Sequence, residues 1–138
     1  MPGTNGAAGR FGPKEIAVST RVMIVDDAAF MCHMIKGILT GMGCEIVAEA
    51  VDGEDACQKY RQTKPDLVTL DLIMPKKGGL EALKDIRKED PDAKVVVISA
   101  IDQREPLMNA LKHGAVDYVV KPFEKDRVQE AIGRVIAG

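Results

Sequence analysis

Four apolar runs of this chain each stop at residues able to do chemistry. Arg21-Val22-Met23-Ile24-Val25 ends at Asp26-Asp27, Leu67-Val68-Thr69-Leu70 at Asp71, Val95-Val96-Val97-Ile98 at Ser99, and Tyr118-Val119-Val120 at Lys121. Three carboxylates brought together are costly to ionise unless a cation neutralises them. Oxygen donors with open positions suit Mg²⁺, which keeps waters and bridges readily to a phosphoryl oxygen. In such a site the Asp71 carboxylate can attack phosphorus and form an acyl phosphate, with the metal lowering repulsion from the incoming group. The Lys121 ammonium and the Ser99 hydroxyl suit the equatorial oxygens of a phosphoryl group in transfer, and the small Ala100 leaves room for it.

Each residue also has a plainer use. Asp-Asp can cap a helix, Asp71 can start the turn that reaches Pro75, a serine at a strand end is usually a turn residue, and Lys-Pro is usually loop. Five such residues ending four separate strands, with both charge signs represented, make coincidence the weaker explanation.

The elements that must position them alternate β-rich runs with helical periods, the pattern of a parallel sheet wrapped by helices. Strands are expected at Arg21–Val25, Glu45–Ala50, Asp66–Leu70, Lys94–Ser99 and Asp117–Val120. The first helix carries Phe30, Met31, Met34, Ile35, Ile38, Leu39 and Met42 at three- and four-residue steps, read as a core stripe, and ends at Gly41 and Gly43. A second runs through Ala56, Cys57 and Tyr60 toward Lys64-Pro65, and a third through Leu80, Leu83 and Ile86 to before Asp90-Pro91. The fourth spans about Arg104 to His113 with Leu107, Met108 and Leu111 inward. The fifth spans Glu124 to Ile136 with Val128, Ile132, Val135 and Ile136 inward. The implied fold is α/β, a flavodoxin-like (βα)5 sandwich around a five-stranded parallel sheet of order 2-1-3-4-5. Right-handed crossovers place every strand's carboxyl end on one edge, where Asp26, Asp27, Asp71, Ser99 and Lys121 converge.

The whole chain bounds what this edge can serve. Its 138 residues suit one domain with its own core, and 46% apolar with 29% charged residues is a globular composition. A formal net charge of −2 with scattered basic residues gives no pull toward nucleic acid or an anionic membrane. Cys32, Cys44 and Cys57 lack Cys-x-x-Cys spacing and fit reduced thiols, so a cytoplasmic protein is expected. No apolar run approaches the length of a membrane span or a signal peptide core. Residues 1–19 are glycine-rich and aperiodic, expected as a mobile extension ahead of a domain at 20–138.

Val22-Met23-Ile24-Val25-Asp26-Asp27, Asp71-Leu72-Ile73-Met74-Pro75 with Gly79, Val97-Ile98-Ser99-Ala100 and Asp117-Tyr118-Val119-Val120-Lys121-Pro122-Phe123 together resemble the response-regulator receiver domains. Within that family the resemblance is to stand-alone CheY-type chemotaxis regulators, and it spans about Arg21 to the end. It implies a two-component signalling phosphoprotein, not an enzyme acting on other molecules, in which Asp71 accepts a phosphoryl group from a histidine kinase's phosphohistidine. It implies Mg²⁺ held by Asp27 and Asp71 directly, by the Ile73 backbone carbonyl, and by Asp26 through water. A cis Lys121-Pro122 bond is implied too. So is a switch in which Ser99 moves toward the phosphoryl group and Tyr118 swings into the vacated space, altering the surface of the fourth helix, fifth strand and fifth helix. The partners implied are a chemotaxis-type kinase and a flagellar motor switch protein governing flagellar rotation, met by a monomer. A phosphorelay shuttle or adaptor outside chemotaxis is the alternative.

The sequence departs from many relatives at two places. Ile73 and Ile101 are aliphatic where polar side chains often guide the hydrolytic water, so slow self-dephosphorylation and an auxiliary phosphatase are expected. Gly78 replaces a frequently acidic residue, with no effect that the sequence defines. Rival functions fit less well. An aspartate-nucleophile phosphohydrolase of the haloacid dehalogenase type would want an acid where Ile73 stands, and a cap domain. A flavodoxin-type carrier would not place Asp26-Asp27 at its phosphate loop, and no Gly-x-Gly-x-x-Gly turn is present for a nicotinamide cofactor. A pseudo-receiver would have little need for all five polar groups.

Overall fold

The structure is a computed structural model and describes residues 19–138; the extension expected at 1–19 falls almost wholly outside them. Ten elements alternate along the chain: β1 (Arg21–Val25), α1 (Ala29–Gly41), β2 (Glu45–Ala50), α2 (Gly53–Thr63), β3 (Leu67–Leu70), α3 (Gly79–Glu89), β4 (Val95–Ser99), α4 (Arg104–Lys112), β5 (Asp117–Val120) and α5 (Lys125–Ala137). The strands form one parallel sheet in the order β2-β1-β3-β4-β5, as the pattern of runs implies.

Period-two alternation in the strands divides the core between two faces. Met23, Val25, Val68, Leu70, Val95 and Val97 face α2, α3 and α4, packing on Ala56, Cys57, Leu83 and Ile86. Val22, Ile24, Leu67, Val96, Ile98 and Val119 face α1 and α5, packing on Ile35, Leu39, Val128 and Ile132. Burying a side chain such as Leu83 contributes about 1.5–3 kcal/mol.

Local chemistry sets the element ends. Asp52 caps α2, its Oδ1 accepting the Asp55 amide at 2.8 Å. At the far end Lys64 takes a left-handed conformation (φ 44°), and the Arg21 guanidinium donates to the Thr63 and Lys64 carbonyls at 2.8 and 2.9 Å. Those carbonyls have no partner inside the helix, so Arg21 fastens the C-terminus of α2 to β1. Asp66 and Lys94, expected inside strands, lie just before them and still pair: the Asp66 amide donates to the Arg21 carbonyl, and the Lys94 carbonyl accepts from Val68. Glu124 is the residue before α5, not part of it.

Three helices bury less of their apolar stripe than expected. On α1, Phe30 is 72% exposed and Met34 is exposed too, while Cys32, Ile35 and Leu39 take the core positions. On α4, Met108 and Leu111 are exposed and the small Ala110 is the residue fully inside. On α5, Ile136 is exposed. The helical period was read correctly in each case. The stripe is wider than the contact, because a helix lying on a sheet covers only the side chains that point between strands.

Candidate functional site

The strand order places β1 beside β3, then β4 and β5, with the reversal of order between β1 and β3, where such sheets hold their ligands. The carboxyl ends of β1 and β3 are level, Val25 pairing with Leu70, and β4 and β5 reach two residues further, Leu70 pairing with Val97 and Ser99 with Val120. The next residue on β1 and on β3 is an aspartate. Asp26, Asp27 and Asp71 each offer a carboxylate oxygen, and these lie within 4.8 Å of one another. Asp26 and Asp71 are buried, whereas Asp27 is exposed.

Lys121 enters from the end of β5. Its ammonium lies 2.7 Å from Asp26 Oδ2 and 3.2 Å from Asp71 Oδ2, with its own side chain largely covered. Burial would push this ammonium's pKa down, but the bond to Asp26 and the charges of Asp71 and Asp26 outweigh it, holding the pKa above the ordinary lysine value. The shorter contact to Asp26 was not foreseen from the sequence, which assigned Lys121 to the incoming phosphoryl group alone. Three carboxylates against one ammonium leave a formal charge of −2 in the pocket, a ready home for a hard divalent cation.

A local motif recurs at the strand ends. Asp26 Oδ1 accepts the amide of Ala28 at 2.9 Å, Asp71 Oδ1 that of Ile73 at 3.1 Å, and Ser99 Oγ that of Ile101 at 3.4 Å. Each side chain thus bonds two residues ahead, fixing its rotamer. For the aspartates one oxygen makes the turn, and the other faces Lys121. Helix capping does not account for the acidic pair: the residue before α1 is Ala28, and no side chain caps that helix.

Ser99 is fully buried below the pocket, and Tyr118 is 92% covered, its hydroxyl donating to the Ile101 carbonyl at 2.7 Å. Tyr118 is therefore already turned inward and tied to the β4–α4 loop. Burial raises its pKa, as does the Asp71 charge, while Ser99 opposes the shift. Arg127 donates to the Tyr118 carbonyl at 2.9 Å and to Asp117, fastening the strand to α5. The Lys121-Pro122 bond is cis, as the resemblance implied.

The loop from Asp71 to α3 depends on close backbone approach. A Cβ on Gly79 would overlap the Asp71 carbonyl oxygen, so only glycine fits there. Ile73 stands 56% exposed beside Asp71 and offers no polar side chain. Sequence reasoning brought together Asp26, Asp27, Asp71, Ser99 and Lys121; the structure places all five at this edge, with Tyr118 alongside.

The response regulator receiver domain family matches residues 22–133. This chain belongs to that family. Among curated relatives of the receiver, the chemotaxis protein CheY of Thermotoga maritima is 50% identical over 115 residues, 83% of this chain and 96% of that one. CheY of Bacillus subtilis is 48% identical, over 84% and 97% respectively. The receiver fold also matches the structure of a CheX-CheY-BeF3-Mg complex from Borrelia burgdorferi, with a TM-score of 0.83 and 35% identity over 85% of this chain and 89% of that one. Among the described residues of this receiver, no helix is long and apolar enough to cross a membrane. Cys32, Cys44 and Cys57 are free and buried.

Proposed function

We propose that Asp71 is the phosphoacceptor of a chemotaxis switch, supplied by a histidine kinase and read by the flagellar motor switch. The observation that carries this reading is the convergence of Asp71 with two further carboxylates within 4.8 Å and with the Lys121 ammonium at 3.2 Å. Asp27, Asp71 and the Ile73 carbonyl would hold Mg²⁺, with Asp26 acting through water; the all-oxygen donor set and its net negative charge suit that ion. When bound, the ion offsets charge repulsion between carboxylate and phosphoryl group.

In the transfer, the Asp71 oxygen that faces Lys121 attacks phosphorus and the P–N bond to the donor imidazole breaks, its electron pair staying on the departing nitrogen, which takes up a proton. Asp71 is held by the Ile73 amide at one oxygen, so its attack direction is set before the donor arrives. Lys121 turns from Asp71 to a phosphoryl oxygen, keeping its bond to Asp26, and Ser99 donates to another oxygen. Donation by Ser99 shifts the Ile101 segment that Tyr118 holds, and through it the face formed by α4, β5 and α5. Exposed Met108, Leu111 and Val120 give that face an apolar surface for a protein target. Reset is slow, since Ile73 and Ile101 give water no polar guide, and a partner phosphatase supplies one. The solved relative bound to CheX supports such an accessory partner, and the free thiols suit a cytoplasmic protein.

Labelling by a phosphorylated chemotaxis kinase in Mg²⁺ tests the site: wild type gains label, Asp71→Asn gains none, and persistent label on the variant places the phosphosite elsewhere. For the output, beryllofluoride with Mg²⁺ should raise affinity for a flagellar switch peptide, and no gain sinks the motor reading.

A further inference from the structure

Four main-chain contacts around the carboxylate pocket close into a ring. The Asp26 amide donates to the Ala50 carbonyl at 3.0 Å, and the Asp71 amide to the Val25 carbonyl at 3.0 Å. The loop leaving Asp71 is pinched by the Gly79 amide donating to Leu72 at 3.1 Å. Within the loop closed by that pinch the Lys77 carbonyl accepts the Gly53 amide at 2.8 Å, and Gly53 lies three residues after Ala50. The Ala50–Gly53 turn therefore touches both halves of the pocket: the strand end that carries Asp26, and the loop that carries the Ile73 carbonyl.

Like Gly79, Gly53 is a joint of this ring where a side chain does not fit. Its φ is not left-handed, so glycine is not demanded by the backbone angle. Space demands it instead: a Cβ would lie 2.6 Å from the Lys77 carbonyl oxygen and 2.9 Å from that of Gly78. Both are backbone atoms, which cannot rotate away as the end of a side chain can. Two more contacts hold the loop, one to this turn and one to α3. Lys76, at φ 63°, brings its ammonium to 4.0 Å from Asp52, and Lys77 pairs with Asp85 of α3. The loop is thus clasped at Lys76 and Lys77, three and four residues beyond Ile73, while its other end is fixed at Asp71.

We propose that Gly53, outside the carboxylate pocket, is a positioning residue for the metal: its contact with Lys77 sets where the Ile73 carbonyl stands relative to Asp71. This rests on the Mg²⁺ reading above. A side chain at 53 displaces the loop by the overlap it creates, a few tenths of an ångström or more, in a coordination sphere that tolerates little such error.

The test is calorimetric titration of Mg²⁺ into wild type, Gly53→Ala and Gly133→Ala. Gly133 sits on α5 with nothing within 4 Å of a Cβ, so it makes the same chemical change in open space. The expected result is at least fivefold weaker Mg²⁺ binding for Gly53→Ala and an unchanged affinity for Gly133→Ala. Equal affinity in all three proteins overturns the inference and leaves the metal site standing. No Mg²⁺ binding by wild type overturns the metal reading itself. Amide exchange on the wild type requires no folded variant: saturating Mg²⁺ should slow exchange of the Gly53 amide at least threefold, and an unchanged rate counts against the linkage.

Discussion

Asp27 is the exposed member of the three carboxylates and forms no ion pair among the described residues, whereas Asp26 and Asp71 share Lys121. In the metal-free protein its charge stands beside two like charges that share the one Lys121 ammonium, so it weakens the fold that it equips. Asp27→Asn should raise stability in EDTA slightly, by under about 1 kcal/mol, because an exposed charge is well screened. Mg²⁺ affinity should fall at least tenfold, and parallel urea unfolding and calorimetry would show both. Ile73 invites the opposite experiment. Ile73→Asn gives water a hydrogen-bonding neighbour beside Asp71, and phosphate loss from labelled protein should quicken by roughly tenfold; an unchanged rate would mean that Ile73 does not set the reset. At this scale the sequence was informative wherever a polar residue ended an apolar run. It was silent on which partner Lys121 prefers and on the inward state of Tyr118, since both are decided by distances between strands far apart in the chain.

Among the elements, the strands were legible and the helix faces less so. A central parallel strand is apolar on both sides because both sides are covered, so Val95–Ser99 announces itself. A helix announces only that it has an apolar stripe. Phe30, Met108 and Ile136 belong to such stripes and are exposed, and nothing in their spacing marks where coverage stops. Glycine signals were similarly mixed. Gly114 ends α4 with φ 105°, a conformation that penalises any side chain. Gly133 lies inside α5, where open space and helical geometry make glycine merely costly. Gly133→Ala should therefore stabilise the protein by about 1 kcal/mol, read as a higher urea midpoint with unchanged slope. Gly53 carried no mark in the sequence beyond a turn after Asp52, because its constraint comes from a loop 24 residues away.

For the molecule as a whole, several buried groups titrate in the same direction. Burial, with the nearby charge of Asp26, pushes the Cys32 thiol from 9.0 up to about 11. The pKa of Tyr118 is raised by burial, and Lys121 is held above its ordinary value by Asp26 and Asp71 against the cost of burial. All three are protonated more firmly in the native state than in the unfolded chain. Their contribution is intact below the unfolded pKa values and is lost as pH rises through the folded ones. The urea midpoint should hold level from neutrality to about pH 9 and fall between 9.0 and about 11, the window set by Cys32. A midpoint that rose in that window would contradict the assigned directions.

The bond between Lys121 and Asp26 joins residues 95 apart in the chain, and that between Lys121 and Asp71 joins residues 50 apart. A ribosome that has finished β1 and β3 has made every carboxylate of the pocket but not the ammonium that accompanies them. Until β5 docks beside β4, the acidic cluster lacks the ammonium that lies against Asp26 and Asp71 in the folded protein. Docking of β5 and partial neutralisation of the pocket are thus one folding event.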